Sequence, residues 1–355
     1  MEPKSTLLAI SKTYIAVAFG SKFTFSHLGN SASNQNTVNI NLGDSKKITS
    51  ISISNKFLAL STESENIFSL MLYDLELLKF ICKKNSKDKI LKLSMTHSLI
   101  LAICHNSASV YSTPSLEKIL NVGTMDYDSP PYIGSIVEIT NNYTAFGNLP
   151  QSTWCFVAVS GFVPGSIRIY QTFSDSNKNL QIQSALNSNA VTIQAHQHSL
   201  QFAQFSNDAK LIATASKSGK IIRVFNTITG ELIHTFQIGT FESKIENICF
   251  STDDRLLSCY CANGTFYTFD LLTDQSIYYN SQNQKQLPKS KLKVNFFSKS
   301  VACLYQTEND AMILNQKGKA ILIHINNTNI DDHDKNEKSL MMKIQKEYYS
   351  FIQLK

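Results

Sequence analysis

A chain of 355 residues is long enough for one large domain or two of ordinary size. Its 33 basic and 27 acidic residues give a formal charge of +6, which favours an anionic surface such as a membrane but is too small for a dedicated nucleic-acid protein. The 7 cysteines include no CxxC pair and lie mostly in apolar runs, so we expect buried, reduced thiols and a cytoplasmic protein. No signal-peptide pattern or long apolar run is present, so any membrane contact should be peripheral.

The apolar runs are short, rich in Ile, Val, Phe and Tyr, and broken by Asn, Ser, Asp or Gly, which predicts many short strands. Aligning the runs on an apolar or aromatic residue near the end of a strand gives seven anchors, spaced 38 to 59 residues apart. The anchors are Phe25, Tyr73, Tyr111, Tyr170, Phe225, Phe269 and His324. This period is typical of propeller blades, so the sequence predicts an all-β, seven-bladed WD40-type β-propeller that forms a single domain over residues 1–355.

One complete blade can be read between Gln194 and Phe236, where three turns separate four strand patterns. The turns are Ser206–Lys210, Ser216–Lys220 and Asn226–Leu232. The Trp-Asp dipeptide of WD repeats survives in altered form, for example as Phe225-Asn226.

Longer spacings between anchors predict polar loops near residues 171–189, 273–293 and 326–338. After the last of these, the segment 339–355 has the pattern of an amphipathic helix, with Leu340, Met341, Ile344, Tyr348 and Phe351 on one side. Such a segment either packs on or completes the last blade, which we favour, or binds a partner.

The sequence offers no sign of an enzyme, because the GxSxG, HExxH, GxxxxGK[ST] and GxGxxG motifs are missing. His196 and His198 have metal-ligand spacing, but the sequence places no third or fourth ligand nearby. The acidic run Asp331–Asp334 lies among Asn and Lys and lacks the glycine turn of an EF-hand, which favours a solvated loop. We therefore expect no catalytic residue, no metal and no cofactor.

The segment from Ala195 to Thr240 resembles blade five of the PROPPIN family, the seven-bladed propellers that bind phosphoinositides in autophagy and in endosome or vacuole maintenance. The matching pieces are Ala195-His196, "LIATAS", "SGKIIRVF", "TGEL" and the Phe-x-x-Gly of Phe236–Gly239. Weaker matches to other blades follow in the same order along the chain, so the resemblance covers most of its length.

The family's lipid motif, Phe-Arg-Arg-Gly, reads Phe236-Gln237-Ile238-Gly239 in this chain. Neighbouring strand residues point to opposite sides, so the two arginines of the family can serve two head-group pockets. A charge-assisted hydrogen bond contributes about 1.5–3 kcal/mol, so the loss of each arginine should weaken its pocket about tenfold to a hundredfold.

Other pocket positions are partly retained. The resemblance assigns His196, Ser216 and Arg223 to the first lipid pocket, although His196 and Ser216 could equally form a hydrogen-bond network inside the blade. Lys220 stands where the family usually has threonine, and we hypothesise that it supplies part of the missing charge to this pocket. It assigns Thr240 and Thr265 to the second pocket, where Tyr260, Cys261 and Tyr267 replace the expected small hydroxyls and histidine. Of the two pockets, the second should be the more damaged.

A group of lysines occupies the place of the family's membrane-inserting loop: Lys285, Lys289, Lys291 and Lys293. On a solvated loop these lysines serve solubility, but near an anionic bilayer each would contribute on the order of 1 kcal/mol. The loop has few large apolar residues, so any insertion should be shallow.

Two functions follow from the resemblance. The first is a monomeric adaptor that binds phosphatidylinositol 3-phosphate or the 3,5-bisphosphate on the phagophore, endosome or vacuole, with weakened affinity, and recruits an autophagy protein of the lipid-transfer or conjugation machinery. The second is a propeller scaffold that has lost lipid recognition and works through protein partners, as "FQIG" favours. A nucleic-acid partner is not expected.

Overall fold

The computed structural model describes residues 6–28, 37–124, 132–140, 153–174, 190–238, 244–272, 288, 290–294, 301–315, 320–328 and 339–348. Within these ranges the chain forms seven four-stranded antiparallel sheets, each built from four consecutive strands. The first strands of neighbouring sheets contact one another around a ring, and β1 of the first sheet contacts β25 of the last. The sequence prediction of a seven-bladed all-β propeller is therefore confirmed.

The first three blades run from the N-terminal side of the chain. Blade one contains β1 (Leu7–Ile10), β2 (Tyr14–Phe19), β3 (Lys22–His27) and β4 (Thr37–Asn41). Blade two contains β5 (Lys47–Ile53), β6 (Phe57–Ser64), β7 (Ile67–Asp74) and β8 (Lys79–Ser86). Blade three contains β9 (Lys92–Met95), β10 (Leu99–Ile103), β11 (Ser107–Ser112) and β12 (Lys118–Gly123).

The remaining four blades complete the ring. Blade four contains β13 (Gly134–Thr140), β14 (Thr153–Ser160), β15 (Ser166–Ser174) and β16 (Val191–Gln194). Blade five contains β17 (Leu200–Phe205), β18 (Leu211–Ser216), β19 (Ile221–Asn226) and β20 (Leu232–Gln237). Blade six contains β21 (Ile245–Phe250), β22 (Leu256–Cys261), β23 (Thr265–Asp270) and β24 (Ser290–Lys293). Blade seven contains β25 (Val301–Tyr305), β26 (Asp310–Asn315), β27 (Ala320–Thr328) and β28 (Ser339–Tyr348).

The seven sequence anchors occupy equivalent places in the fold, because each lies on the third strand of a different blade. Phe25 lies on β3, Tyr170 on β15 and His324 on β27, and the other four lie on β7, β11, β19 and β23. The irregular spacing of the anchors therefore reflects connections of different length, the longest of which join strands of the same blade, such as β15 to β16 and β23 to β24.

The hydrophobic core is divided among the interfaces between neighbouring blades. Among the described residues, seven apolar clusters each join the faces of two adjacent blades, including a cluster between blades seven and one that contains Ile15 and Leu314. Each sheet thus buries both faces, which accounts for strands such as β10 (LILAI) that are apolar throughout. The last interface closes the ring by face packing.

Three predicted loops are shorter than expected, and one predicted element has a different conformation. Residues 171–174, 290–293 and 326–328 belong to strands β15, β24 and β27. The helix predicted over 339–355 is wrong for residues 339–348, which form β28, the fourth strand of blade seven. The favoured role of this segment, completing the last blade, agrees with its pairing to β27.

A register shift in blade seven explains the misleading helical pattern. Between Leu322 and Ile323 the pairing moves from Lys346 to Ile344, so one extra residue is accommodated on β28. A bulge of this kind interrupts the two-residue alternation that identifies a strand in sequence.

Candidate functional site

Two sides of blade five are distinguished by the pairing of its strands. Arg223 on β19 pairs with Thr214 on β18 and with Thr235 on β20, while Ile221 pairs with Gln237. Paired residues, and residues two apart along a strand, project from the same face of a sheet. Arg223, Thr214, Ser216 and Gln237 therefore share one face, which packs toward blade four.

Ile238 lies on the other side of the blade and is buried. Its side chain is 5% exposed and belongs to the apolar cluster between blades five and six, together with Phe236. Its backbone N–H donates to the carbonyl of Lys220 at 3.0 Å, which fixes the end of β20 to the turn that precedes β19. The alternation places Gln237 and Ile238 on opposite sides, and the second of them is part of the core.

His196 is a buried, neutral histidine that holds the blade together. Its Nε2 lies 3.0 Å from Thr214 Oγ1, and the hydroxyl of Thr214 donates to the carbonyl of Arg223 at 3.3 Å. Because the single hydroxyl proton of Thr214 is used in this way, His196 Nε2 is the donor toward Thr214. Burial, followed by the positive charge of Arg223, lowers the pKa of His196 from 6.5 to about 4.

The guanidinium of Arg223 is fixed on the first side by one backbone contact. Its Nη1 donates to the carbonyl oxygen of Ala195 at 2.6 Å, and the side chain is partly exposed. A guanidinium carries five N–H donors in a planar fork, a geometry that matches the oxygens of a phosphate. Arg223 is thus oriented by the connection between β16 and β17.

Ser216 and Lys220 flank the turn that joins β18 to β19. Ser216 Oγ lies 2.8 Å from Ser218 Oγ, and Gly219 adopts a φ of 65°, a conformation that glycine accepts without a Cβ penalty. Lys220 is partly exposed, directly before β19. The turn therefore presents hydroxyl and ammonium groups at the same end of the blade as Arg223.

On the second side, the described residues around Thr265 are mostly buried. Thr265 is 8% exposed, and its backbone N–H donates to Asn263 Oδ1 at 3.0 Å. Cys261 and Tyr267 share its face toward blade five, whereas Tyr260 projects into the cluster with blade seven. Gly239 and Thr240 lie outside the described residues.

The lysines assigned to a membrane-contact loop fall in two places. Lys291 and Lys293 lie on strand β24, where they pair with Tyr267 and Thr265. Both are exposed, and the ammonium of Lys293 donates to the backbone carbonyl of Asn263. Lys285 and Lys289 lie outside the described residues.

The described acidic residues of blades four to six lie mostly at one end of the sheets, together with Lys210 and Arg255, whereas the other end is largely cationic. We call the end where β14–β15, β18–β19 and β22–β23 are joined the basic end. The cations at or near it are Arg168, Lys217, Lys220, Arg223, Lys244 and Lys293. In the described part of this end Glu246 is the one acid, and it pairs with Lys244 at 3.0 Å. The opposite end carries Asp208, Glu231, Asp253, Asp254 and Asp270.

Two other predictions from the sequence concern metals and membrane spans. Among the described residues no group of three or more His, Cys, Asp or Glu side chains is placed to hold a metal ion. Asp331–Asp334 lies outside those residues. No helix in the described ranges is long and apolar enough to cross a membrane.

Thr214, which was not among the residues predicted from the sequence, links His196 to the backbone of Arg223. A signal was present, because Thr214 stands two positions before Ser216 and therefore on the same face of the predicted strand. The sequence did not show that His196, in the connection from blade four to blade five, lies beside Thr214.

The fold and the polar face of blade five define a seven-bladed WD-type propeller with a basic end. No family model matches the chain. It is similar to autophagy-related protein 18 of Candida glabrata, with 43% identity over 81 residues that cover 23% of this chain and 16% of the relative. It is also similar to autophagy-related protein 18 of Schizosaccharomyces pombe, with 27% identity over 219 residues that cover 59% of this chain and 54% of the relative. The chain thus matches between a sixth and about half of the length of these curated relatives.

Solved structures extend the similarity of fold over almost the whole chain. Kluyveromyces lactis Hsv2 superposes with a TM-score of 0.72 at 14% identity, covering 97% of this chain and 99% of the other. KlAtg21, in a complex with the coiled coil of AgAtg16, superposes with a TM-score of 0.62 at 19% identity, covering 96% and 99%. The chain is thus similar in sequence to autophagy-related protein 18 and shares the fold of these solved propellers, in agreement with the resemblance to the PROPPIN family.

Proposed function

We propose that the chain is a peripheral-membrane adaptor of autophagy and of vacuole or endosome traffic, and that it binds phosphatidylinositol 3-phosphate or the 3,5-bisphosphate through one pocket. The pocket lies on the side of blade five that faces blade four. The observation that carries the proposal is the guanidinium of Arg223, which Ala195 orients on the face shared by Ser216 and Gln237.

The chemistry of this face suits a phosphorylated head group better than a neutral ligand. Arg223 supplies a planar donor fork, Lys220 a second cation in the adjoining turn, and Gln237 an amide that can donate without charge. His196 contributes by supporting Thr214 and the strand below Arg223, since its donor nitrogen is already occupied. Affinity is weaker than in a pocket with the complete arginine pair.

The second pocket has no comparable cation on blade five, because Ile238 is buried. On blade six, Lys291 and Lys293 lie on the face of Thr265 and add surface charge toward an anionic bilayer. We assign to them, and to Lys285 and Lys289, a general electrostatic role in membrane contact. Thr240 and Thr265 keep their assignment to this weaker side.

A protein partner is the other half of an adaptor's function. The solved complex of KlAtg21 with the coiled coil of AgAtg16 is the precedent among structures of this fold. We propose a partner from the conjugation or lipid-transfer machinery of autophagy. Catalysis and a cofactor form no part of the proposal.

The alternative is a scaffold that has lost lipid recognition. It is favoured by the burial of Ile238 among apolar side chains, which leaves the position of one motif arginine without any polar capacity. The two functions differ in whether a phosphoinositide increases membrane binding.

Vesicle flotation decides between them. Vesicles with phosphatidylinositol 3-phosphate are compared with phosphatidylserine vesicles of equal charge, using the wild type, Arg223→Ala and Arg223→Lys. We expect a preference for the phosphoinositide that Arg223→Ala removes and Arg223→Lys, which keeps the charge but not the fork, only partly restores. The matched control is Lys210→Ala, an exposed lysine at the opposite end of blade five.

Equal binding to both kinds of vesicle by the wild type would refute the lipid pocket and leave the scaffold. Thermal melts of each variant separate loss of the pocket from loss of folding, because Arg223 also bonds the backbone of Ala195.

A further inference from the structure

Blade four presents two large apolar side chains to solvent at the basic end. Phe162 is 63% exposed and Val163 is 58% exposed, both in the turn Gly161–Gly165 between β14 and β15. Single exposed apolar residues are common on protein surfaces, but two adjacent ones at the apex of an ordered turn are a small interaction surface. We call this turn the blade-four tip.

Hydrogen bonds define the conformation of the tip. Ser166 Oγ donates to the carbonyl of Val163 at 2.6 Å, and the N–H of Gly161 donates to the carbonyl of Ser166 at 2.9 Å. Gly165 has a φ of +79°, and a Cβ there would lie 2.0 Å from the carbonyl oxygen of His196. A preformed turn of this kind loses little conformational entropy when its side chains enter another phase.

A short chain of hydrogen bonds connects the tip to the candidate lipid pocket. The carbonyl of Gly165 accepts from the backbone N–H groups of Ala195 and His196 at 3.0 and 3.1 Å. The carbonyl of Ala195 in turn accepts from Arg223 Nη1. The side chain of Gln194 also donates to the carbonyl of Pro164 at 2.9 Å. The apolar tip and the guanidinium are therefore held in a fixed relation by the same connecting segment.

A cation lies directly beside the tip. The guanidinium of Arg168 is 4.6 Å from the centroid of the Phe162 ring and 5.0 Å from that of Tyr170, and its Nη1 donates to the carbonyl of Gly123 at 3.4 Å. An aromatic ring projecting past an arginine is suited to the boundary of a bilayer, where the ring enters the acyl region and the cation remains with the phosphates.

The size and charge of the surface favour a bilayer over a protein partner. A stable protein interface buries roughly 800 Å² on each side, whereas in the described part of blade four the large apolar side chains that are exposed are Phe162 and Val163. The cations of the basic end are complementary to anionic lipids, and the tip is continuous with the pocket proposed for a lipid head group.

We propose that Phe162 and Val163 form a shallow insertion site for an anionic bilayer, which fixes the blade four to blade five edge of the propeller against the membrane. The proposal rests on the proposed function for its choice of partner. Its test does not require the phosphoinositide pocket.

Site-specific fluorescence reports insertion at the tip. The chain has one tryptophan, Trp154, so Trp154→Phe with Phe162→Trp carries a single probe at the apex. Vesicles contain phosphatidylserine and brominated phosphatidylcholine, without phosphoinositide. We expect a blue shift of the emission and quenching by the bromine atoms. The matched control is Trp154→Phe with Leu77→Trp, a position that is 60% exposed on blade two and should show neither change.

A second variant keeps the native tryptophan. Phe162→Ser with Val163→Ser removes the apolar tip but keeps Gly165 and Ser166, which form the turn. We expect at least about tenfold weaker partitioning onto the phosphatidylserine vesicles, as the loss of two apolar side chains that enter the bilayer only in part predicts. The thermal melt should remain unchanged because both side chains are exposed.

The outcomes separate this proposal from the proposed function. A probe at position 162 that is neither shifted nor quenched on any vesicle, together with unchanged partitioning of the double serine variant, overturns the insertion site. Quenching at position 162 without any preference for phosphatidylinositol 3-phosphate supports the insertion site and refutes the lipid pocket. A phosphoinositide preference with an unquenched probe supports the pocket and refutes the insertion site.

Discussion

Replacing Gln237 with arginine should strengthen binding to phosphatidylinositol 3-phosphate. Gln237 is the last residue of β20, is partly exposed, and lies opposite Ile221 on the face that carries Arg223. Diagonal neighbours across two antiparallel strands are about 7–8 Å apart, so two guanidinium groups at positions 223 and 237 can bind one phosphate group. The change restores a motif arginine without entering the core.

The expected gain can be worked out from this geometry. A charge-assisted hydrogen bond contributes about 1.5–3 kcal/mol. Repulsion between two cations about 7–8 Å apart costs roughly 0.6 kcal/mol at the dielectric constant of water, and more at a partly desolvated surface. The net gain is about 1–2 kcal/mol, which corresponds to roughly five- to thirtyfold in affinity.

Vesicle titration at constant surface charge measures this gain. Affinity for phosphatidylinositol 3-phosphate vesicles is compared with affinity for phosphatidylserine vesicles, for Gln237→Arg and for Gln237→Lys as a control that adds charge without the planar fork. An equal rise on both vesicle types would mean that the added charge acts only through the general surface potential. No change on either would contradict the placement of an anion site on this face.

Three further predictions concern blade five and the adjoining blade-four tip. Ile238→Arg should lower the free energy of unfolding by about 3–5 kcal/mol without increasing lipid binding, because it places an unpaired charge in the apolar cluster between blades five and six. A urea titration measures this change. A stable variant with tighter lipid binding would contradict the burial of Ile238. Gly165→Ala should lower the free energy of unfolding by more than about 1–2 kcal/mol, which is the usual cost of a non-glycine residue in the left-handed conformation, because its Cβ would overlap the carbonyl of His196. An unchanged melting temperature would contradict that contact. Stability should fall as the pH drops from 6.5 toward 4, because the unfolded state protonates His196 at its ordinary pKa while the folded state resists protonation until a pKa of about 4. His196 contributes up to about 3 kcal/mol of this change. His196→Gln should remove about half of the dependence of urea midpoints measured between pH 7 and 5, because burial lowers the pKa of His234 to about 4 as well.

The repeat pattern was sufficient to predict the propeller because each blade buries the two faces of its sheet against its neighbours in the same way. Phe225 and Phe269, for instance, both lie on third strands with a side chain in an interface between blades. The pattern failed at β28, where a bulge and a position at the outer edge of blade seven removed the simple alternation. Local periodicity identifies strands when pairing is regular, and loses that power where pairing shifts.

Part of the candidate site could also be predicted. The sequence located blade five, and the strand alternation correctly required Gln237 and Ile238 to face opposite sides. It did not reveal that Tyr260 projects toward blade seven and away from the second pocket. It also did not reveal that Lys291 and Lys293 lie on a strand.

The sequence by itself determined the number of blades and the class of fold, because these depend on short-range alternation and on a repeat along one chain. Only the tertiary structure decided that Ile238 is core, that His196 is committed to Thr214, and that Ala195 joins Arg223 to the turn of Gly165. The exposure of Phe162 was likewise decided only by the tertiary structure. Burial and cross-blade hydrogen bonds depend on which surface a neighbouring blade presents, and residues far apart in sequence supply that surface.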